Sequence, residues 1–232
     1  GSVDTSFGTN GIAMTSIAYY SPPTCLAIQA DGKIVVGGYA STGSFFFIRY
    51  ITDGSLDMSF GTGGMVSTVA TNFYTSSSSI GIQADQKIIL GSGKVLVRYN
   101  TDGSLDTSFG AGGTGVVPSR EIWALKIEVS TGKIVLAANY YNGNNNLIVV
   151  RFNPSGDLDL SFNTTGTKIL KTTSPSTFTG VLGLTDLAID DSSGKISIVG
   201  YANVLAGISF FSYGLAYRLN ANGSWDSSFS GD

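Results

Sequence analysis

A chain that writes one short string five times is constrained to build one small structure several times over. Asp-x-Ser-Phe occurs here at Asp4–Phe7, Asp57–Phe60, Asp106–Phe109, Asp159–Phe162 and Asp226–Phe229, at spacings of 53, 49, 53 and 67 residues. A second string precedes the last four copies: Arg, then Tyr, Phe or Leu, a short spacer, Gly, and the Asp of the first string. It pairs Arg49 with Asp57, Arg98 with Asp106, Arg151 with Asp159 and Arg218 with Asp226, and so uses four of the five arginines in the chain. Further upstream each repeat carries Leu or Ile at alternate positions, a turn, a Lys (33, 87, 133 or 195) and then a continuous apolar run.

Alternation at every second residue is the period of a strand. The turn Asp31-Gly32 suits a hairpin, because glycine accepts positive φ without steric conflict. Asp85-Gln86 lacks that glycine, and a different turn is expected there. Each repeat therefore holds four short strands: the alternating segment, the run after Lys, a strand ending at Arg, and a strand after the Asp-x-Ser-Phe loop. The second strand is apolar on both faces, which requires cover on both sides. Four-stranded antiparallel sheets with two apolar faces bury both by packing radially about an axis, which is the arrangement of a β-propeller.

The sequence thus predicts one all-β domain over residues 1–232, a four-bladed propeller with blades at about 24–72, 78–119, 122–172 and 180–229. The chain opens with an Asp-x-Ser-Phe loop and one more strand, and its last repeat lacks that strand. We expect residues 11–18 to complete the last blade beside the strand near Tyr213–Leu219, since an unpaired edge leaves backbone groups without partners.

The combination Asp-Gly-Lys-Ile-Val-Val-Gly-Gly (residues 31–38), Arg49-Tyr50 and Asp-Gly-Ser-Leu-Asp-x-Ser-Phe-Gly-x-x-Gly (residues 53–64) resembles the delta-60 repeat, a propeller-type repeat of secreted or surface bacterial proteins. Gly37-Gly38 also resembles the di-glycine of kelch repeats. The resemblance implies a propeller architecture and an adhesion or interaction role, and supplies no catalytic residues.

Composition narrows the chemistry. Histidine is absent, which removes Ser-His-Asp and Cys-His catalysis and His-ligated metals. The formal charge of −3 gives no basic surface for nucleic acid. Cys25 is the single cysteine and reads as a small core residue. No apolar run approaches the ~20 residues of a membrane-spanning helix. Low charge, at 12% of residues, with much Ser, Thr, Asn and Gly, suggests an extracellular or surface-exposed protein. We expect a monomer.

The Asp-rich loop resembles a calcium loop in its later positions, but Arg98 stands where the first carboxylate would be. No metal and no cofactor are expected. Instead each Arg/Asp pair is expected to pin its loop with charge-assisted hydrogen bonds. Ser130–Lys133 and Ser192–Lys195 match Ser-x-x-Lys, and Gly91–Lys94 superficially resembles a phosphate loop, but all three fit turns between strands. The remaining acids, Asp186, Asp190, Asp191, Glu121 and Glu128, form no recognisable catalytic pair. The repeats differ most between the second and third strands, at Tyr39–Ser44, Gly91–Lys94, Asn139–Asn146 and Tyr201–Ser212. Variable loops on a rigid scaffold are where binding concentrates. Tyr39, Tyr140, Tyr141, Asn142, Asn144 and Tyr201 are the candidate binding residues, facing a protein or, alternatively, a glycan. The expected function is a non-enzymatic binding or scaffold module.

Overall fold

The computed structural model describes residues 1–17, 22–40, 44–69, 78–118, 121–141, 145–170, 182–206 and 209–229. Fifteen strands form four antiparallel sheets among these residues, and no helix is present in them. The first sheet is β1 (Pro23–Ile28), β2 (Ile34–Ala40), β3 (Ser44–Tyr50) and β4 (Met65–Val69). The second is β5 (Ser78–Ile82), β6 (Ile88–Ser92), β7 (Val95–Tyr99) and β8 (Thr114–Val116). The third is β9 (Glu121–Ile127), β10 (Ile134–Tyr141), β11 (Asn145–Phe152) and β12 (Thr167–Leu170). The last is β13 (Leu182–Asp190), β14 (Lys195–Ala206) and β15 (Ser209–Leu219). Strand order follows chain order in every sheet, so each is a meander and each is one blade.

Blades meet face to face. One face of the first blade (Val35, Phe45, Phe47, Phe60) packs on Ile80, Ile88, Leu90, Val97 and Tyr99 of the second. The second blade packs on the third through Ile89, Leu96 and Phe109 against Leu125, Ile134, Leu136 and Ile148. The third packs on the fourth through Val135, Ala137, Leu147, Val149 and Phe162 against Leu187, Ile196, Ile198 and Leu219. The apolar runs after each Lys are apolar on both faces because β6 and β10 sit between two neighbours. The innermost strands β1, β5, β9 and β13 touch in succession, whereas the first and last sheets share no comparable contact among the described residues.

The last sheet holds three strands, and the expected pairing of residues 11–18 with β15 is not among the strand pairings of the described residues. Ala13–Ile17 form no strand, and Ile12 and Met14 are exposed. The N-terminal segment lies instead on the first blade: Gly8 N donates to Asp53 O at 2.7 Å, and Tyr50 Oη donates to Thr15 Oγ1 at 2.7 Å. The cause is the repeat itself. Gly61 N to Asp102 O, Gly110 N to Ser155 O and Asn163 N to Asn222 O, each 2.8 Å, are the same bond between successive blades. The N-terminal copy of the loop takes the seat that a preceding blade would fill.

Two other expectations change. Asp85-Gln86 makes the same turn as Asp31-Gly32: Lys33 N and Lys87 N donate to Asp31 and Asp85 Oδ1, both at 3.2 Å, and Gln86 adopts φ 65° where Gly32 has φ 82°. Gln86 is held there because Ala30 N donates to its Oε1 at 2.9 Å and Gln29 Nε2 to its carbonyl at 3.1 Å. Tyr201–Ser212, expected as a long loop, is mostly hairpin. The strands β14 and β15 stay paired as far as Ala206 and Ser209, so the backbone ladder runs on through most of the segment.

Candidate functional site

The repeated charged residues assemble into one cluster per blade. Arg Nε meets the loop Asp Oδ2 at 2.8 Å (Arg49/Asp57), 2.7 Å (Arg98/Asp106), 2.7 Å (Arg151/Asp159) and 2.5 Å (Arg218/Asp226). The Lys after each hairpin turn reaches the same oxygen: Lys33 at 3.2 Å, Lys87 at 2.7 Å, Lys133 at 2.8 Å and Lys195 at 3.0 Å. The other carboxylate oxygen accepts from the Ser two residues on, through both Oγ (2.6 Å) and N (3.1 Å). Each Arg guanidinium also lies over the Phe of its own loop, 4.3–4.7 Å from the ring centre. Sequence reasoning found the Arg/Asp pairs and missed the lysines, although Lys recurs in all four repeats.

Burial would raise the Asp57, Asp106 and Asp159 carboxyls. Hydrogen bonds from the Ser and Lys, with the Arg charge, outweigh it and hold all three well below the usual carboxylate range. Hydrogen bonds from Ser228 and Lys195 do the same for Asp226. Such carboxylates are fixed anions, poor proton donors or acceptors near neutrality.

These arginines also tie blade to blade. Arg49 Nη1 donates to Thr101 O (2.5 Å), Arg98 Nη1 to Pro154 O (2.7 Å) and Arg151 Nη1 to Ala221 O (2.5 Å). Each accepting carbonyl lies in the next blade's loop. This contact joins residues more than fifty positions apart, and no local pattern announces it.

Where β1, β5 and β9 end, the turns of three blades border a cavity of 680 Å³. Ile28, Ile82 and Ile127 give it an apolar floor, and Gln29, Gln83, Gln86, Asp85, Ser130 and Thr131 its polar rim. Asp85 is the one carboxylate on that lining and Arg98 the one cation. Much of the amide capacity is engaged: Gln83 Nε2 donates to Pro154 O at 3.3 Å, and Gln29 Nε2 to Gln86. Isoleucines at strand ends and amides at turn starts recur in the sequence, but their convergence at one end needs the blades to be packed.

The acids outside the loops are also engaged. Asp190 accepts from Ser192 and Ser193, which lower its pKa to about 2. Asp191 Oδ1 accepts from Val129 N at 3.0 Å, across to the third blade, and Glu128 Oε2 from Thr131 Oγ1 at 2.6 Å. Asp186 lies 3.8 Å from Lys126 Nζ, both exposed. Among the described residues, no three acidic or thiol groups converge as a metal site would require. Cys25 contacts Ser78 Oγ in the next blade at 3.4 Å, and burial raises its thiol pKa, as for a packed, unreactive sulfur.

Of the candidate binding residues, the side chains of Tyr140 and Tyr201 are described, and they lie on different blades. Tyr140 is half-buried against the core between the second and third blades. Tyr201 is 39% exposed on the outer face of the fourth blade. Tyr39 and Tyr141 belong to β2 and β10, but their side chains lie outside the described residues, as do Asn142 and Asn144 altogether. The Gly91–Lys94 hairpin is tight, with Gly93 at φ 53°.

Radially packed meander sheets with a repeated inter-blade lock define a β-propeller repeat protein. Residues 29–60, 83–109 and 130–162 match the family described as a domain of unknown function (DUF5122) β-propeller. Those matches fall on the turn, Lys, Arg and Asp-x-Ser-Phe elements of the first three blades. Comparison with curated proteins gives no match. Among solved structures, the chain is similar to a catalytically inactive virginiamycin B lyase from Staphylococcus aureus with quinupristin, at 7% identity and TM-score 0.47, covering 90% of this chain and 67% of that one. A protein of unknown function from Bacteroides caccae gives 8% identity and TM-score 0.49, over 91% and 68%. A PQQ-bound aldose sugar dehydrogenase from Streptomyces coelicolor gives 11% and 0.48, over 90% and 70%.

Proposed function

We propose that this chain is a non-enzymatic binding module, a propeller of the delta-60 type on a secreted or surface-exposed protein, and that it binds a segment of another protein in the cavity at the strand-end turns. The observation that carries the reading is the employment of the charged groups. The four repeated carboxylates are each saturated by Lys, Arg and Ser. The cavity offers a single acid, so the two-carboxylate machinery of a glycosidase has no seat there. What it does offer is an isoleucine floor with amide and hydroxyl groups at its rim. That suits an extended peptide better than a sugar, because no aromatic ring lines it for stacking and several amides are already bonded.

The test is a substitution in the floor. Ile82→Arg places a charge in the cavity while the turn residues stay; it also loses packing on the core between the first two blades, so capture is compared well below the variant's own melting temperature, where it should be lost. Binding to a glycan array that Ile82→Arg abolishes would replace the peptide reading with a lectin. Turnover of a hydrolase substrate panel that Asp85→Asn abolishes would replace both with an enzyme.

A further inference from the structure

The hairpin turns of neighbouring blades are clasped together at two junctions and left open at the one between them. Ala30, Ala84 and Val129 hold the same place in the repeat, directly after Gln29, Gln83 and Glu128. Ala30 N donates to Gln86 Oε1 of the second blade at 2.9 Å, and Val129 N donates to Asp191 Oδ1 of the fourth at 3.0 Å. Ala84 N, where the second blade meets the third, donates to nothing among the described residues. The third blade's turn supplies no acceptor: Thr131 Oγ1 is turned to Glu128 Oε2, and Ser130 makes no hydrogen bond among the described residues. This junction is internal, with another blade packed beyond it on either side.

The open amide belongs to the lining of the 680 Å³ cavity, together with Asp85, Val129 and Ser130. Asp85 is exposed, and its Oδ1 holds the turn by accepting from Lys87 N at 3.2 Å. Its carboxylate meets no cation among the described residues, because Lys87 Nζ is turned to Asp106 at 2.7 Å. Arg98, the one cation of the lining, is directed inward: its nitrogens donate to Asp106, Gln83, Pro154 and Ser108. Asp31 and Asp190, exposed on the hairpin turns of the first and fourth blades, carry the same sign. The rim therefore holds an uncompensated negative charge beside an unfilled donor, and the floor is isoleucine.

We propose that the Ala84 amide takes a main-chain carbonyl of an extended peptide segment, and that this segment sets an apolar side chain on Ile28, Ile82 and Ile127 and a neighbouring Lys or Arg against Asp85. The proposal rests on the peptide reading of the cavity and names the kind of segment it accepts. The carbonyl stands where Gln86 Oε1 and Asp191 Oδ1 stand at the adjoining junctions, so the ligand completes a clasp that the third blade leaves unmade. A ligand carboxylate is a poor substitute, since it would meet the like charge of Asp85. The apolar floor supplies most of the affinity. An ion pair at an exposed rim adds little to that, so Asp85 acts on selectivity, favouring a basic segment over a neutral one and rejecting an acidic one.

Short capped synthetic peptides, alike except for Lys, Gln or Glu beside a single Leu, test this by fluorescence anisotropy. The Lys peptide should bind most tightly and the Glu peptide least. Asp85→Asn keeps the turn acceptor and should weaken the Lys peptide about threefold while leaving the Gln peptide unchanged. Val129→Asn gives the third blade the acceptor that Asp191 gives the fourth, and by engaging Ala84 N it should weaken all three peptides about fivefold. Val129 is 76% exposed, so Val129→Ala serves as the control and should bind as the unaltered chain does. Hydrogen exchange at the Ala84 amide should slow in Val129→Asn and when the Lys peptide is bound. Three results would overturn the proposal: binding indifferent to the charged position, an Ala84 amide left unprotected by bound peptide, or equal losses in Val129→Ala and Val129→Asn. In each of them binding that Ile82→Arg abolishes would leave the peptide reading of the cavity standing, whereas failure of every peptide to bind would remove both.

Discussion

Leu125 and Leu26 are the same residue at the same place in the repeat, yet one is 1% exposed and the other 64%. Phe109 and Phe229 make the same comparison at the loop: the first is fully buried and the second 41% exposed. Nothing local separates the members of either pair. The difference lies in the neighbouring blade, so burial in this fold belongs to the interface between repeats rather than to the repeat. That is the behaviour of a quasi-one-dimensional array, where each unit borrows half of its core from the next.

The comparison can be broken most forcefully at the loop phenylalanines. Phe109 fills the junction of the second and third blades under the Arg98 guanidinium, so Phe109→Ala should destabilise by about 3–5 kcal/mol. Phe229→Ala should lower the urea midpoint far less, because its ring already faces solvent. Equal losses would mean that the ring acts mainly within its own blade.

Leucines on the inner strands should give the next largest contrast. Leu125→Ala removes a side chain packed against Ile89 and Leu96 of the preceding blade and should cost about 2–4 kcal/mol in urea unfolding. Leu26→Ala should fall within about 0.5 kcal/mol of the unaltered chain, because that side chain is largely in solvent. A loss at Leu26 as large as at Leu125 would mean that the leucine acts within its own blade.

Most of the fold could be read from the repeat. Period-two alternation gave the strands, Asp31-Gly32 a hairpin, and the two-sided apolar runs at Ile88–Leu90 and Ile134–Leu136 the need for cover on both sides. Arg and Asp recurring eight residues apart announced their pairing, because both sit in one local loop. What stayed hidden is contact between blades. The bond from Arg98 to Pro154, the seat of Gly8 on Asp53 and the gathering of Ile28, Ile82 and Ile127 around one cavity all depend on how blades pack, which the period leaves open. Where the N-terminal segment settles was hidden for the same reason. Its loop can satisfy the inter-blade bond on the first blade without its strand reaching the last.

The charged clusters sharpen the comparison at a smaller scale. Asp106→Asn leaves Arg98 and Lys87 facing a neutral amide inside the stack and should destabilise by about 2 kcal/mol at pH 7. Asp226→Asn at the open end should lose less, since the Arg218 side chain is already partly in solvent. The acid limb of the stability curve follows from the same groups. Their carboxyls titrate lower folded than unfolded, so below the unfolded value of about 3.9 the unfolded chain binds more protons. Stability should hold from neutrality to about pH 5, then fall as pH drops further, until the folded carboxyls protonate too. Asp106→Asn should flatten that fall in pH-dependent urea midpoints, and an unchanged slope would remove the cluster from the acid transition.

The smallest effect falls on the turn before Lys87, where the first two blades differ by one residue. Gly32 has no side chain to extend, while Gln86 reaches back to Ala30 and Gln29 of the first blade. A left-handed Gln is disfavoured by about 1 kcal/mol relative to Gly, and its bond from Ala30 N returns a similar amount. Gln86→Gly removes strain and bond together and should sit within about 1 kcal/mol of zero. Gln86→Ala keeps the strained backbone and loses the bond, so it should be the less stable of the two. Thermal unfolding of both variants would rank them. An alanine variant as stable as the glycine one would mean that the turn relaxes when the amide is gone, leaving the inter-blade bond as the cause of the left-handed backbone.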